Sequence, residues 1–205
     1  CDAEHVYAVT LSAELSGSYN SAELGKNLYK EEYGEKQIHV FNSKSASVGE
    51  TLIALKIAEC EEKQMSFEEI IKTVDAYIEE QHTYFVLETL ETLRKNGRLT
   101  GIKAMMATAL NIKPVMGSTP IGSICQLGQG RGMKKAIEKM VAQVKKDAIR
   151  PEEKILAITH CNCPERAEDM KKMVQEQMKV KDIIVLDTAG ISSMYAADGG
   201  VILVV

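Results

Sequence analysis

The alternation of strand and helix patterns over residues 1–81 constrains the fold of this chain more than any other feature. HVYAVTL (5–11) is an apolar run of the length expected for a buried strand, and QIHVF (37–41) is a second, shorter one. Three segments have the apolar spacing of helices: 16–33, 48–63 and 65–81. Ser66 and Glu69 at the start of the last segment have the spacing of a capping box. Strands that alternate with helices pair in parallel, so a parallel α/β domain is predicted here.

The pattern changes after Gln81. TYFVLE (83–88) predicts a strand that runs into a helix ended by Gly97, and prolines and glycines between short apolar runs over 112–132 predict antiparallel strands and turns. Further helices are predicted over 101–111, 134–146 and 164–178, and further strands over 155–159, 182–187 and 201–205. We therefore expect an incomplete parallel α/β domain over 1–81 and a second α/β domain, with a mixed or antiparallel sheet, over 82–205.

Length and charge exclude several classes of function. With 205 residues the chain can bury a substantial core, and its net charge of −4 without a basic run argues against nucleic-acid binding. No segment approaches the ~18 apolar residues of a membrane span.

The five cysteines are odd in number and scattered, which is typical of a protein of the reducing cytoplasm. The chain lacks an initiator methionine and starts almost directly with a strand, so we expect a segment upstream.

The stretch LSAELSGSYNSAE (11–23) carries a serine–glycine turn between a predicted strand and a predicted helix. Ser16 is placed to cap the helix, and Gly17 lets another group approach the backbone. The free N–H groups of a helix N-terminus also attract anions. A plain cap and an anion site therefore both remain open. A nucleophilic serine is a weaker alternative, because the stretch lacks the G-x-S-x-G elbow and has no nearby histidine.

Two further motifs contain residue types suited to chemistry. HCNCP (160–164) offers zinc-type ligands, but no second cluster completes a tetrahedral site, so a turn into a proline-opened helix is favoured. GQGRG (128–132) lacks the ending of a phosphate-binding loop and reads as a turn before a helix. Its Arg131 is an exposed guanidinium suited to phosphate contact. No metal and no cofactor are predicted.

Two glycine-containing turns bring other polar groups into consideration. NGRLTG (96–101) joins two predicted helices, and its Arg98 could point into a cleft. YAADGG (195–200) reads as a hairpin or crossover turn before the last strand. Tyr195 could offer its hydroxyl to a buried polar ligand.

Taken in order, LSGSYNSA, NSKSASVGE, LETLETLRKNGRLTG, LNIKPVMG, QGRGMKKA and YAADGGVILVV resemble the DegV family over nearly the whole chain. That family includes the bacterial FakB subunits of fatty acid kinase. The resemblance implies two α/β domains and a long-chain fatty acid whose carboxyl end lies near the domain interface. It also implies a carboxylate site formed by Ser16, Gly17, Arg98 and Tyr195, and a contact of Arg131 with the kinase during phosphotransfer.

The chain departs from the family pattern at several places. The D-S-T/S segment and the T-S-Q-P motif are absent, so the threonine that shares the carboxylate is missing, and roughly 80 upstream residues, about half a typical domain, are expected to be lost. Tyr195 replaces the histidine that many members carry, Asn42 replaces the usual Asp, and Asn96 replaces the first glycine of G-G-R.

The sequence therefore predicts a fatty-acid-binding protein of the cytoplasm that is not itself an enzyme. It would present the carboxylate to a partner fatty acid kinase and then carry the acyl phosphate. The alternatives are a hydrolase or transferase that uses Ser16, and a ligand-free protein–protein interaction module.

Overall fold

The computed structural model describes residues 2–99 and 111–205. The chain divides into two compact units, one of Cys1–Gln81 with Pro120–Ser123 and one of His82–Thr119 with Ile124–Val205. Each unit combines helices with a sheet, so the predicted α/β class is confirmed. The helix predicted over 101–111 falls on residues that are not described, apart from Asn111.

The first unit is built around a two-stranded parallel sheet. Its elements are β1 His5–Thr10, α1 Ser18–Tyr33, β2 Gln37–Asn42, α2 Val48–Glu62 and α3 Phe67–Glu79. The register of β1 and β2 runs from His5 opposite Gln37 to Thr10 opposite Asn42, which confirms the predicted parallel pairing. Strand β1 is half-buried rather than buried as predicted, because within the described chain it pairs along only one edge, with β2.

The core of the first unit lies where β2 meets α2 and α3. Phe41, Ile53 and Val74 are fully enclosed there. The predicted capping box of α3 is confirmed: the Ser66 hydroxyl accepts the N–H of Glu69, and the Glu69 carboxylate accepts the N–H of Ser66 at 2.9 Å. These reciprocal bonds fix the start of the helix that carries Val74 into the core.

The second unit contains a six-stranded mixed sheet. Its strands are β3 Thr83–Val86, β4 Ile112–Ser118, β5 Ile124–Arg131, β6 Ile155–His160, β7 Asp182–Asp187 and β8 Val201–Val204. Its helices are α4 Glu91–Lys95, α5 Gly132–Asp147, α6 Pro164–Gln177 and α7 Gly190–Ala196, with a short 3-10 turn at Pro151–Glu153. The strand order is β5-β4-β3-β8-β6-β7, and only β6 and β7 are parallel neighbours. The mixed sheet predicted for this part is confirmed.

Both faces of this sheet carry apolar side chains. Tyr84 and Leu203 alternate with their neighbours toward α5 and α6, where they pack with Met140. On the opposite face Phe85 pairs in register with Met116 and with Ile202. These three side chains are at most 9% exposed. The face of the sheet away from α5 and α6 is therefore also apolar and buried.

Three predictions for the second unit were wrong in detail. GQGRG (128–132) is not a turn, because all but its last residue extend β5, where Gly130 opposes Lys113 of β4 and leaves room for the backbone of Ala136. Tyr195 lies in helix α7 rather than in the glycine turn. Helix α4 begins only at Glu91, although it ends as predicted just before Gly97, whose φ of +73° suits glycine.

Candidate functional site

The turn between β1 and α1 presents the predicted anion-binding serine. Gly17, not Ser16, occupies the N-cap position, and the helix begins at Ser18. The Ser16 hydroxyl nevertheless accepts the N–H of Ser18 at 3.2 Å, as a capping side chain does. The N–H groups of Tyr19 and Asn20 come before the first bond of the helix, so neither has an acceptor within it. Half-buried Ser16 and exposed Gly17 thus flank a helix end that carries a partial positive charge.

The buried Ser12 forms several backbone hydrogen bonds that hold this turn. Ser12 is fully buried; its N–H donates to the carbonyl of Ser45 at 2.9 Å. Its own carbonyl accepts the N–H groups of Leu15 at 2.9 Å and Ser16 at 3.0 Å. The position of Ser16 is therefore set by Ser12, a residue that the sequence patterns did not single out.

The segment after β2 contacts the same turn. The side-chain oxygen of Asn42 accepts the N–H of Ala13 at 3.1 Å and that of Lys44 at 3.2 Å. An oxygen acceptor is therefore kept where the family usually has Asp. Lys44 and Ser47 both have positive φ values, +50° and +59°, which are uncommon for residues other than glycine. Backbone strain of this kind often accompanies a binding site.

Two side chains of the first unit have buried polar atoms without a hydrogen-bond partner in the described chain. They are the hydroxyl of Ser18 and the side-chain amide of Gln81. A buried polar atom that stays unpaired costs about 1–3 kcal/mol, so such atoms call for an explanation. The Ser18 hydroxyl lies at the start of α1, two residues after Ser16, where a ligand oxygen could satisfy it.

The other predicted site residues belong to the second unit, and each is described there. Arg98 follows α4, and its guanidinium donates to the carbonyl of Asn96 at 2.5 Å. Half-buried Tyr195 lies in α7, which packs against α4. The segments that carry Arg98 and Tyr195 are therefore neighbours. Arg131 is exposed at the end of β5, directly before α5.

An ion-pair network that the sequence patterns missed connects the LETLETLRKNGRLTG segment with the YAADGG turn. Glu88, two residues after β3, accepts from Lys113 at 2.5 Å and pairs with Arg166 at 3.1 Å. Arg166 also donates to the carbonyl of Gly199 in the YAADGG turn. Burial raises the pKa of Glu88, but the hydrogen bond and charge of Lys113 together with Arg166 outweigh it and leave that pKa below its ordinary value. The network thus holds LETLET beside the last turn.

The HCNCP motif is a structural turn, as predicted. β6 ends at His160, Pro164 opens α6, and the N–H of Cys163 bonds to His160 Nδ1 at 3.3 Å. Burial raises the pKa of the Cys163 thiol. Within 2–99 and 111–205, no three histidine, cysteine or acidic side chains converge as metal ligands would. None of the helices described in this chain combines the length and apolarity that crossing a membrane requires.

Residues 1–204 match the model of the DegV family, which is described as a family of uncharacterised proteins. A DegV domain-containing protein of Streptococcus pneumoniae is 31% identical over 201 residues, which are 98% of this chain and 71% of that protein.

Several solved structures are similar to nearly the whole chain. A DegV family protein from Ruminococcus gnavus, refined with vaccenic acid, is 66% identical with a TM-score of 0.98, and the match covers 100% of this chain and 73% of that one. The fatty acid kinase B3 protein of Streptococcus pneumoniae, loaded with linoleic acid, is 30% identical with a TM-score of 0.89. That match covers 99% of this chain and 72% of the other.

Proposed function

Because the chain belongs to the DegV family, we propose that it binds one long-chain fatty acid as a carrier rather than as an enzyme. The observation that carries the proposal is the 66% identity, over 100% of this chain, to a structure that holds vaccenic acid. The proposal places the protein in the cytoplasm, where the four described cysteines, which are free thiols, stay reduced.

The first unit supplies the groups for the carboxylate. The Ser16 hydroxyl accepts the N–H of Ser18 and keeps its own hydrogen available to donate to a carboxylate oxygen. The N–H groups at the start of α1 favour negative charge there, and the exposed Gly17 carries no side chain that would block the approach. Arg98 and Tyr195 keep the carboxylate-binding roles that the family resemblance implies for them.

The acyl chain needs an apolar surface of its own. Phe85, Met116 and Ile202 form a buried part of the second unit's sheet on the face away from α5 and α6, and their side chains carry no nitrogen or oxygen. Each buried methylene contributes about 0.8 kcal/mol, so a dozen supply roughly 10 kcal/mol before the costs of ordering. Polar groups are then needed only to accommodate one carboxylate.

We also propose that a fatty acid kinase uses the bound acid as its substrate. A carboxylate oxygen attacks the γ-phosphorus of ATP on the kinase, the bond to the bridging oxygen breaks, ADP leaves, and the acyl phosphate remains on this chain. Arg131 is exposed and suited to bidentate contact with phosphate, so it is assigned to the contact with the kinase.

Ser16→Ala tests the carboxylate site. Losing one hydrogen bond to a charged acceptor should weaken the affinity for vaccenic acid about tenfold or more, measured by calorimetric titration of delipidated protein. Ser21→Ala is the matched control, because Ser21 is an exposed serine one turn further along α1. Equal affinities for the two variants would contradict the assignment of Ser16.

Arg131→Ala tests the kinase contact. The variant should bind vaccenic acid normally and yet lose acyl phosphate formation with a fatty acid kinase and ATP. Arg131→Lys keeps the charge but not the planar fork, so it should recover only part of the rate. Loss of lipid binding in Arg131→Ala would refute this division of roles.

The hydrolase alternative has less support in the structure. The Ser16 hydroxyl bonds to a backbone N–H, and His5, the nearest histidine in sequence, is paired with Glu61 at 2.7 Å. Hydrolysis of a fatty acyl ester that disappears in Ser16→Ala would revive this alternative.

A further inference from the structure

Both the backbone and the side chain of Ser12 form hydrogen bonds within the turn. In addition to its backbone bonds, its hydroxyl donates to the carbonyl of Gly122 at 2.9 Å and accepts the N–H of Glu14 at 3.3 Å. The hydroxyl therefore uses both its donor and an acceptor position. Since Ser12 is 0% exposed, no water replaces these partners when the side chain is removed.

The partner of this hydroxyl comes from a distant part of the sequence. Gly122 belongs to Pro120–Ser123, the connection between β4 and β5, which clusters with the first unit. Its φ is +90°, and an added Cβ would lie 2.3 Å from the Ser12 hydroxyl oxygen and 2.8 Å from Cα of Lys44. Only glycine fits both the conformation and the space. A second bond holds the connection, from the Ser123 hydroxyl to the Glu14 carboxylate at 3.2 Å.

We infer that Ser12 is the positioning residue of the carboxylate site, and that Gly122 fixes its hydroxyl so that the turn 12–16 presents Ser16 to the fatty acid. The inference rests on the proposed function and adds to it a residue that positions Ser16. Ser12 does not touch the ligand in this account. It acts through Ser16, whose N–H is bonded to the Ser12 carbonyl at 3.0 Å.

The physical reason is that Ser12 accepts hydrogen bonds from three consecutive residues of the turn. The Ser12 carbonyl holds the N–H groups of Leu15 and Ser16, and its hydroxyl holds that of Glu14. Without the hydroxyl, the carbonyl of buried Gly122 also loses its donor. The turn then relaxes, and a displacement of the Ser16 hydroxyl by a fraction of an ångström weakens a hydrogen bond that depends on distance and angle.

The test is a double-mutant cycle on the delipidated 205-residue chain, read out as the dissociation constant for vaccenic acid. Ser12→Ala alone should weaken binding about five- to tenfold, the cost of a misplaced hydrogen bond. In a Ser16→Ala background the same substitution should change the affinity less than about twofold, because the group it positions is gone. A role in stability alone would weaken binding equally in both backgrounds, and that result would overturn the inference.

Gly122→Ala provides an independent variant that leaves both serines in place. It should weaken binding as Ser12→Ala does, and Gly128→Ala in the neighbouring strand is its matched control, because an added Cβ there meets nothing within 4 Å. Normal affinity in Gly122→Ala would overturn the role of the glycine contact. Failure of the unsubstituted chain to bind vaccenic acid would instead overturn the proposed function, and this role with it.

Discussion

Glu88→Gln should destabilise the second unit in a way that depends on pH. The carboxylate of Glu88 faces two cations, Lys113 at 2.5 Å and Arg166 at 3.1 Å, whose side chains are 18% and 29% exposed. Exposed ion pairs contribute up to about 1 kcal/mol each, and these partners are better shielded than most. Glu88 itself is 36% exposed, and the amide of Gln still accepts one bond, so we expect a total loss of about 1–2 kcal/mol.

The sign of the pH dependence follows from the direction of the pKa shift. The pKa of folded Glu88 lies below its ordinary value of 4.5. The stabilisation is therefore fully present above that ordinary value and is lost as the pH falls through the folded-state pKa. The difference between the wild type and Glu88→Gln should be largest near neutral pH and should close once the pH falls below the folded-state pKa of Glu88.

Urea unfolding followed by circular dichroism measures this difference. At about pH 7, a loss of 1–2 kcal/mol lowers the midpoint by roughly 0.5–1 M for a slope near 2 kcal/mol/M. Glu91→Gln is the matched control, since Glu91 pairs with Lys95, 2.8 Å away, and both side chains are more than half exposed. That control should lose at most about 0.5 kcal/mol. Equal losses in the two variants, or a loss that persists unchanged in acid, would show that the two cations do not stabilise the Glu88 carboxylate.

Three further substitutions have predictable effects on urea unfolding of the delipidated protein. Gly25→Ala should raise the free energy of unfolding by about 0.5–1 kcal/mol, because Gly25 is exposed within α1 and an added Cβ meets nothing within 4 Å; a lower midpoint would contradict this. Tyr84→Phe should lower the free energy of unfolding by about 1–2 kcal/mol, since the 2% exposed Tyr84 donates a hydrogen bond to Asp147 at 3.0 Å. An unchanged midpoint would show that this hydrogen bond contributes nothing. Ser18→Ala should be neutral or stabilising by up to about 0.5 kcal/mol, because its buried hydroxyl has no partner in the described chain; a clear loss of stability would show that it has one.

Features that depend on neighbours in the sequence were predictable. The capping box of Ser66 and Glu69 and the apolar face of α3 lie within one helix, and both are as predicted. The alternation of strands with helices predicted the parallel pairing of β1 with β2, because few connections other than a crossover fit that pattern. The N-cap was misplaced by one residue, at Ser16 instead of Gly17, since both positions suit a cap.

Features that depend on distant partners were not predictable. GQGRG looks like a turn, but its pairing with β4, including Gly130 opposite Lys113, makes it part of β5. The bond between Ser12 and Gly122 joins residues 110 positions apart, so no local sequence pattern indicates it. The ion pair of Glu88 could not be predicted either, because its partner Arg166 lies far along the chain in α6. The motif around Ser16 could be found from sequence, but the residues that hold Ser16 in place could not.

Native mass spectrometry of the purified chain, with analysis of its solvent extract, shows directly whether the protein carries a fatty acid. We expect one long-chain fatty acid per chain, lost on delipidation and regained when vaccenic acid is added. A chain that carries no lipid and takes up none would contradict fatty-acid binding and would favour the protein–protein interaction module.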